Sequence, residues 1–164
     1  MKIAYTMTEG KGDLDEVLYR FAKSEMANGT RVVGVVQVNT DRDDCPLCDM
    51  DVEVLPDGPT IRISQDLGPE AKGCRLDPDA LETAVTEVEK RLTDDVALLV
   101  LNKFGKHEAG GRGFRDTIAK AMALEVPVVC GVNALNREAF EAFSGGTAEY
   151  VEPTPAALAD WFKR

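Results

Sequence analysis

Two hydrophobic periods alternate along this chain. Lys2–Thr6 reads as a short strand, and Leu14, Val17, Leu18, Phe21 and Ala22 then recur at helical spacing until Asn28-Gly29 stops the pattern. Arg31–Asn39, RVVGVVQVN, is an almost continuous apolar run and predicts a second strand. Residues Asp51–Ser64 alternate around Pro56-Asp57-Gly58, which predicts a hairpin. Asp77-Pro78 opens a helix, with Asp77 as N-cap and Leu81, Val85, Val88 and Leu92 on its apolar face. Val96–Leu101 predicts a strand, Gly113–Leu124 a helix that buries Phe114, Ile118, Ala121 and Met122, and Val126–Val132 another strand. A short helix carrying Phe140 and Phe143 closes at Gly145-Gly146. Ala148–Val151 is a last strand, and Thr154-Pro155 starts a terminal helix with Leu158, Trp161 and Phe162.

Strands that alternate with helices pair in parallel, so the pattern predicts an α/β three-layer sandwich formed by residues 1–164 as a single domain. The hairpin near 51–64 breaks that rhythm and belongs at an edge or as an insertion. Four polar groups then fall at carboxyl ends of predicted strands. They are Thr6, Thr8, Glu9, Gly10 and Gly12; Gln37, Asn39, Asp41 and Arg42; Asn102 to Arg115; and Asn133. Parallel strands bring those ends to one edge, where open α/β sheets bind ligands.

The third group changes the picture most. In LLVLNKFGKHEAGGRGFR (98–115) four apolar residues run straight into Asn102, Lys103, Gly105, Lys106, His107, Glu108, Arg112 and Arg115. This segment is cationic inside a chain of formal net charge −10, so it predicts a place for something negative. Arg112 and Arg115 flank a helix start, where cations oppose the helix dipole unless an anion sits beside them. Alternatively, Arg115 pairs with Asp116 or Glu108. Lys106 is either an oxyanion contact or a solvated turn lysine. Asn102 either bonds a ligand or caps the turn. Arg75 either reaches the same site or pairs with Asp77 or Asp79.

The overall acidity argues against general nucleic-acid binding, which needs a basic face. No apolar run reaches the roughly 18 residues of a membrane helix, and MKIAYTMTEG is too short and polar for a signal peptide, so a cytoplasmic protein is expected. Cys45-Pro46-Leu47-Cys48 is a CxxC that, with Cys74 and His107, would supply a zinc site; a redox dithiol and free thiols are the other readings. Cys130 lies in the apolar run VPVVCGV and belongs to the core. Glu9, His107 and Glu108 are the candidates for acid/base work.

The segment Asn102-Lys103-Phe104-Gly105-Lys106-His107-Glu108 resembles the DEIGKME motif of the small P-loop nucleoside triphosphatases first described in thermophiles. Gly105, Lys106 and Glu108 match. Asn102 stands where the magnesium-binding aspartate would be, and Lys103 where the water-activating glutamate would be. At the front, Gly10 and Gly12 align with two glycines of the phosphate loop, while Met7 takes the first glycine position. Asp13 stands at the lysine position and Leu14 at the Ser/Thr position. The resemblance implies a P-loop fold whose hydrolytic groups are missing from their usual positions. CDMDVEVLPDG (48–58), RISQDLGPEAKGCRLDP (62–78) and NKFGKHEAGGRGFR (102–115) also resemble the bacterial Domain of Unknown Function family 2478. That resemblance implies a relative of the P-loop triphosphatases, often encoded beside molybdate-transport genes.

Three functions follow as expectations. The first is a degenerate P-loop-like protein that binds an anionic small molecule: a nucleotide, phosphate or a molybdate-type oxyanion. Lys103, Lys106, Arg112 and Arg115 would supply charge, and Asn102 with the Thr6–Gly12 backbone neutral hydrogen bonds. The second is a nucleotide hydrolase or transferase with relocated catalytic groups. The third is a regulatory or carrier protein in molybdenum metabolism.

Overall fold

The computed structural model describes residues 2–10, 12–42, 45–65 and 76–164, with the side chains of 41, 42 and 45–48 outside that description. Among the described residues seven strands form one sheet: β1 (Ile3–Thr6), β2 (Val32–Arg42), β3 (Cys45–Leu55), β4 (Thr60–Arg62), β5 (Leu98–Phe104), β6 (Val128–Val132) and β7 (Glu149–Tyr150). The helices are α1 (Asp13–Ala27), α2 (Pro78–Arg91), α3 (Lys106–Ala109), α4 (Arg115–Ala123), α5 (Arg137–Phe143) and α6 (Pro155–Lys163), with a 3-10 turn at Ala134–Asn136. The strand order is β4-β3-β2-β5-β6-β1-β7. β2, β5, β6, β1 and β7 run parallel, whereas β3 and β4 pair antiparallel at one edge.

Two buried clusters make the sandwich. Strand side chains alternate between the faces, so Leu98 and Val100 join α1 and α6 through Leu18, Phe21, Ala22, Leu158 and Trp161. Leu99 and Leu101 join the opposite cluster, with Leu81, Ala84, Val85 and Val88 of α2, Ile118 and Ala121 of α4, and Phe140 of α5. Helix starts follow the sequence. Asp77 Oδ1 accepts from the amides of Asp79 (3.0 Å) and Ala80 (3.3 Å) ahead of Pro78, and Thr154 Oγ1 accepts from Ala157 N (3.1 Å) ahead of Pro155.

Three expectations need correction. The hairpin around Pro56-Asp57-Gly58 exists and lies at the sheet edge, but its first strand begins at Cys45 and pairs with β2 from Gly34–Leu55 to Arg42–Cys45. The CxxC therefore stands on a strand. Second, β5 does not stop at Leu101. Asn102, Lys103 and Phe104 belong to it, and Phe104 pairs with Val132 and returns to the core. Third, the helix expected from Gly113 starts at Arg115.

β5 is the fourth and central strand of the seven, and both neighbours meet it with glycine. A Cβ on Gly34 of β2, whose φ is +137°, would stand 1.8 Å from Val100 O. On Gly131 of β6 it would stand 2.2 Å from Asn102 O. Backbone cannot yield as a flexible side chain can, so Gly34→Ala should cost about 3 kcal/mol or more. Gly29→Ala, at φ +89° in open space, should cost only about 1 kcal/mol of backbone strain. Urea unfolding of the two variants checks the ordering, and an equal loss in both would contradict the close approach.

Candidate functional site

The carboxyl ends of β1, β2, β5 and β6 reach the same edge, and a chain of side-chain hydrogen bonds crosses it. Asn102 Nδ2 donates to Gln37 Oε1 (2.7 Å), Gln37 Nε2 to Asn39 Oδ1 (2.8 Å), and Asn39 Nδ2 to Asp15 Oδ2 (2.9 Å). Asn102 is buried, so its amide needs these partners. Burial raises the Asp15 carboxyl above its ordinary value, against the opposing pull of hydrogen bonds from Asn39 and Asn102 and of the Lys103 charge. A cleft of about 490 Å³ opens beside this chain, lined by Gly12, Asp13, Glu16 and Tyr19 as well as Asp15, Gln37 and Asn39.

The front loop leads from β1 into that cleft. Thr6 is fully buried at the end of β1, and its Oγ1 has no hydrogen-bond partner among the described residues. Thr8 Oγ1 donates to Gly10 O (3.3 Å). A Cβ on Gly10 would stand 1.9 Å from Asp13 Oδ2, so the Asp13 carboxylate is folded against the loop. Gly12, at φ +81°, begins α1 without a side-chain cap. The first turn of α1 carries Asp13, Asp15 and Glu16, and these carboxylates occupy the positive end of the helix dipole.

The end of β5 has the opposite sign. Lys103, Lys106 and Arg112 are exposed and form no ion pair among the described residues. Arg115 is half-buried: Nη1 lies 3.5 Å from Glu108 O, and the guanidinium sits 5.0 Å from the Phe143 ring centroid. It pairs with neither the Asp116 nor the Glu108 carboxylate. Phe104 packs edge-on against Phe140 (5.1 Å) and tilted against Phe143 (5.7 Å), which ties the strand end to α5 and so to Arg115.

Glu108 is 4% exposed, on the four-residue helix α3. A Cβ on Gly113, at φ +60°, would stand 2.8 Å from its Cδ, so only glycine leaves room for the carboxyl. Burial pushes Glu108 up to about 7, while hydrogen bonds with backbone at Glu108, Gly105 and Phe114 and the Lys103 charge pull the other way. Burial also lifts the Cys130 thiol, and the Glu108 charge adds to that rise.

The structure thus joins some of the expected site residues and separates others. Asn102 is bonded to Gln37 and caps no turn. Lys103 acts on both Asp15 and Glu108. Thr8 and Glu9 face a second cavity, beside Asn133. His107 is half-buried, and its carbonyl accepts the Arg112 amide (2.8 Å). Arg75 and Cys74 lie outside the described residues, as do the side chains of Cys45 and Cys48, so the zinc reading falls there too. The sequence reading missed Asp15, which nothing in the pattern separates from Asp13 and Glu16. Gln37 and Asn39 carried a usable signal, since alternate positions of a strand share a face.

A family model described as "Protein of unknown function (DUF2478)" matches residues 3–161. The molybdenum import ATP-binding protein ModC 2 of Bradyrhizobium diazoefficiens is 37% identical over 146 residues, which is 88% of this chain and 16% of that protein. This chain therefore spans about a sixth of that relative's length. The crystal structure of THEP1 from the hyperthermophile Aquifex aeolicus superposes with a TM-score of 0.64 at 19% identity, over 99% of this chain and 95% of its own. The solution structure of a human cancer-related nucleoside triphosphatase gives 0.67 at 14% identity, over 98% and 95%. The chain shares its fold with these two structures, and no helix of the described residues is long and apolar enough to cross a membrane.

Glu108 should leave a pH signature. Its folded value of about 7 exceeds the ordinary 4.5, so the folded state holds the proton that the unfolded state has released. Its contribution to stability is complete below about 4.5 and is lost as pH rises through about 7, a fall of about 3 kcal/mol. Glu108→Gln keeps the shape without the charge. The difference between wild type and variant should therefore grow in favour of the variant from pH 5 to 8. Equal slopes in thermal unfolding at those pH values would contradict a buried, protonated Glu108.

Proposed function

The chain belongs to the DUF2478 family of proteins of unknown function, and from its geometry we propose that it binds an anionic small molecule, a nucleotide or an oxyanion such as phosphate or molybdate, without conventional nucleotide hydrolysis. One observation carries this reading. Among the described residues, Lys103, Lys106 and Arg112 form no ion pair at the carboxyl edge of a P-loop-like sheet, in a chain of net charge −10. Although the chain is acidic, no carboxylate among the described residues forms an ion pair with any of the three, and an anion at the end of β5 would gain from them.

The opposite side of the edge supports the same reading by exclusion. P-loop hydrolysis places phosphates on the amides at the start of the first helix, with magnesium beside them. Here Asp13 is folded onto Gly10, Asp15 is tied to Asn39, and Glu16 shares their turn. These residues do not fit a magnesium nucleotide seated in the front loop, because the carboxylates would repel its phosphates. The anion is assigned instead to the end of β5 and the start of α3, with Arg115 held at its rim by Phe143. Asn102, engaged with Gln37, fixes the strand end. The relative's printed name couples ATP binding to molybdenum import, which favours nucleotide and molybdate as the first ligands to try.

Calorimetry at low salt with ATP, GTP, phosphate, molybdate and tungstate tests the reading. Binding of at least one is expected, weakened about five- to tenfold by Lys106→Ala or Arg112→Ala and further by added salt. No binding to any of the five overturns it. A phosphate-release screen with Mg²⁺ separates binding from catalysis: turnover abolished by Glu108→Gln would establish a hydrolase with relocated groups.

A further inference from the structure

The second cavity lies at the exit of β1. It measures about 890 Å³, and Met7, Glu9, Asn133, Leu135, Arg137 and Tyr150 are among its lining residues. Strand order explains its shape. β1 lies between β6 and β7, so Leu135, just past β6, and Tyr150, at the end of β7, flank the loop that leaves β1.

Both flanking side chains are apolar surfaces that the fold holds out in water. Leu135 is 92% exposed on the 3-10 turn. That turn is fixed, because Asn133 Oδ1 accepts from Asn136 N (3.0 Å) and from Asn136 Nδ2 (2.8 Å). Tyr150 is 47% exposed, with its ring held edge-on against Tyr5 at 5.6 Å. Tyr5 is fixed in turn by donating to Glu141 Oε1 (3.0 Å). A preset aliphatic prong and a preset aromatic ring on either side of a cleft suit a flat apolar guest.

We propose that this cavity takes the base of a nucleotide, packed between Leu135 and Tyr150, with the exposed Glu9 carboxylate accepting from an amino group on the ring. The inference rests on the nucleotide branch of the reading above and assigns its orientation. Among the described lining residues the one cation, Arg137, is paired with Glu141 (2.9 Å). Lys103, Lys106 and Arg112 lie on the far side of β6. Phe104 pairs with Val132, so Lys106 leaves β5 next to the turn that carries Leu135. From β5 to β7 there are three strand spacings, about 14 Å, a span that the base and phosphate chain of one nucleotide bridge.

The test compares ATP and GTP with tripolyphosphate, which has the charge and no base. The variants are Tyr150→Ala and Leu135→Ser, both at exposed positions, with thermal unfolding to verify that the fold is retained. Wild type should bind one nucleotide at least tenfold more tightly than tripolyphosphate. Each variant should lose about tenfold for that nucleotide, within the range for stacking one base, and nothing for tripolyphosphate. Tripolyphosphate binding as tightly as both nucleotides, or unchanged nucleotide affinity in both variants, overturns the base site and leaves anion binding standing. If molybdate and tripolyphosphate also fail to bind, the anion-binding reading fails with it.

Discussion

The close approach of glycine backbone to β5 is the constraint on which the rest depends. Val100 O and Asn102 O lie where any Cβ on Gly34 or Gly131 would fall. The strand is therefore held by β2 through Leu101 and by β6 as far as the Phe104–Val132 pair. That hold carries β5 past Leu101 and delivers Asn102 into the edge, Lys103 into solvent and Phe104 back into the core. A shift of register between Leu101 and Phe104 breaks the alternation, so that Phe104 joins Leu99 and Leu101 in one cluster while Lys103 stays in solvent.

The same constraint explains why a buried polar chain is tolerated at the edge. An unbonded amide at Asn102 would cost roughly 1–3 kcal/mol. Gln37 and Asn39 stand two residues apart on β2, share a face, and pass the hydrogen bonds on to Asp15 at the start of α1. Sheet and helix are joined by this chain where a phosphate loop would otherwise be open. Asp15 gains a polar environment but loses water, and the two effects oppose each other in its proton affinity.

Much of the architecture was legible because local and tertiary signals agreed. Asp77-Pro78 and Thr154-Pro155 start helices by the same capping chemistry that their residues announce. Pro56-Asp57-Gly58 turns the edge hairpin as its alternation implies. The failures share a cause. Asn102 and Lys103 look like loop, since polarity alone cannot reveal that Gln37 will satisfy one and water the other. Cys45–Met50 likewise resembles a ligand loop until its backbone pairs with β2. Asp15 was missed because its burial depends on Asn39, which is 24 residues away. Glu108 was chosen for its motif, whereas its raised proton affinity comes from Gly113 making room and from the surrounding core.

The division of charge along one edge has a physical consequence of its own. Carboxylates at the start of α1 already complement the helix dipole, so that end gains little from an added anion and repels it. On the proposed reading Lys103, Lys106 and Arg112 would gain from one, and their mutual repulsion would fall on binding. Lys103 faces both sides: it attracts Asp15 and Glu108 as well as an incoming anion. If the proposed anion drew Lys103 away, Glu108 would keep less opposing charge in its buried cradle and would hold its proton more firmly. By linkage, a protonated Glu108 would then favour the anion.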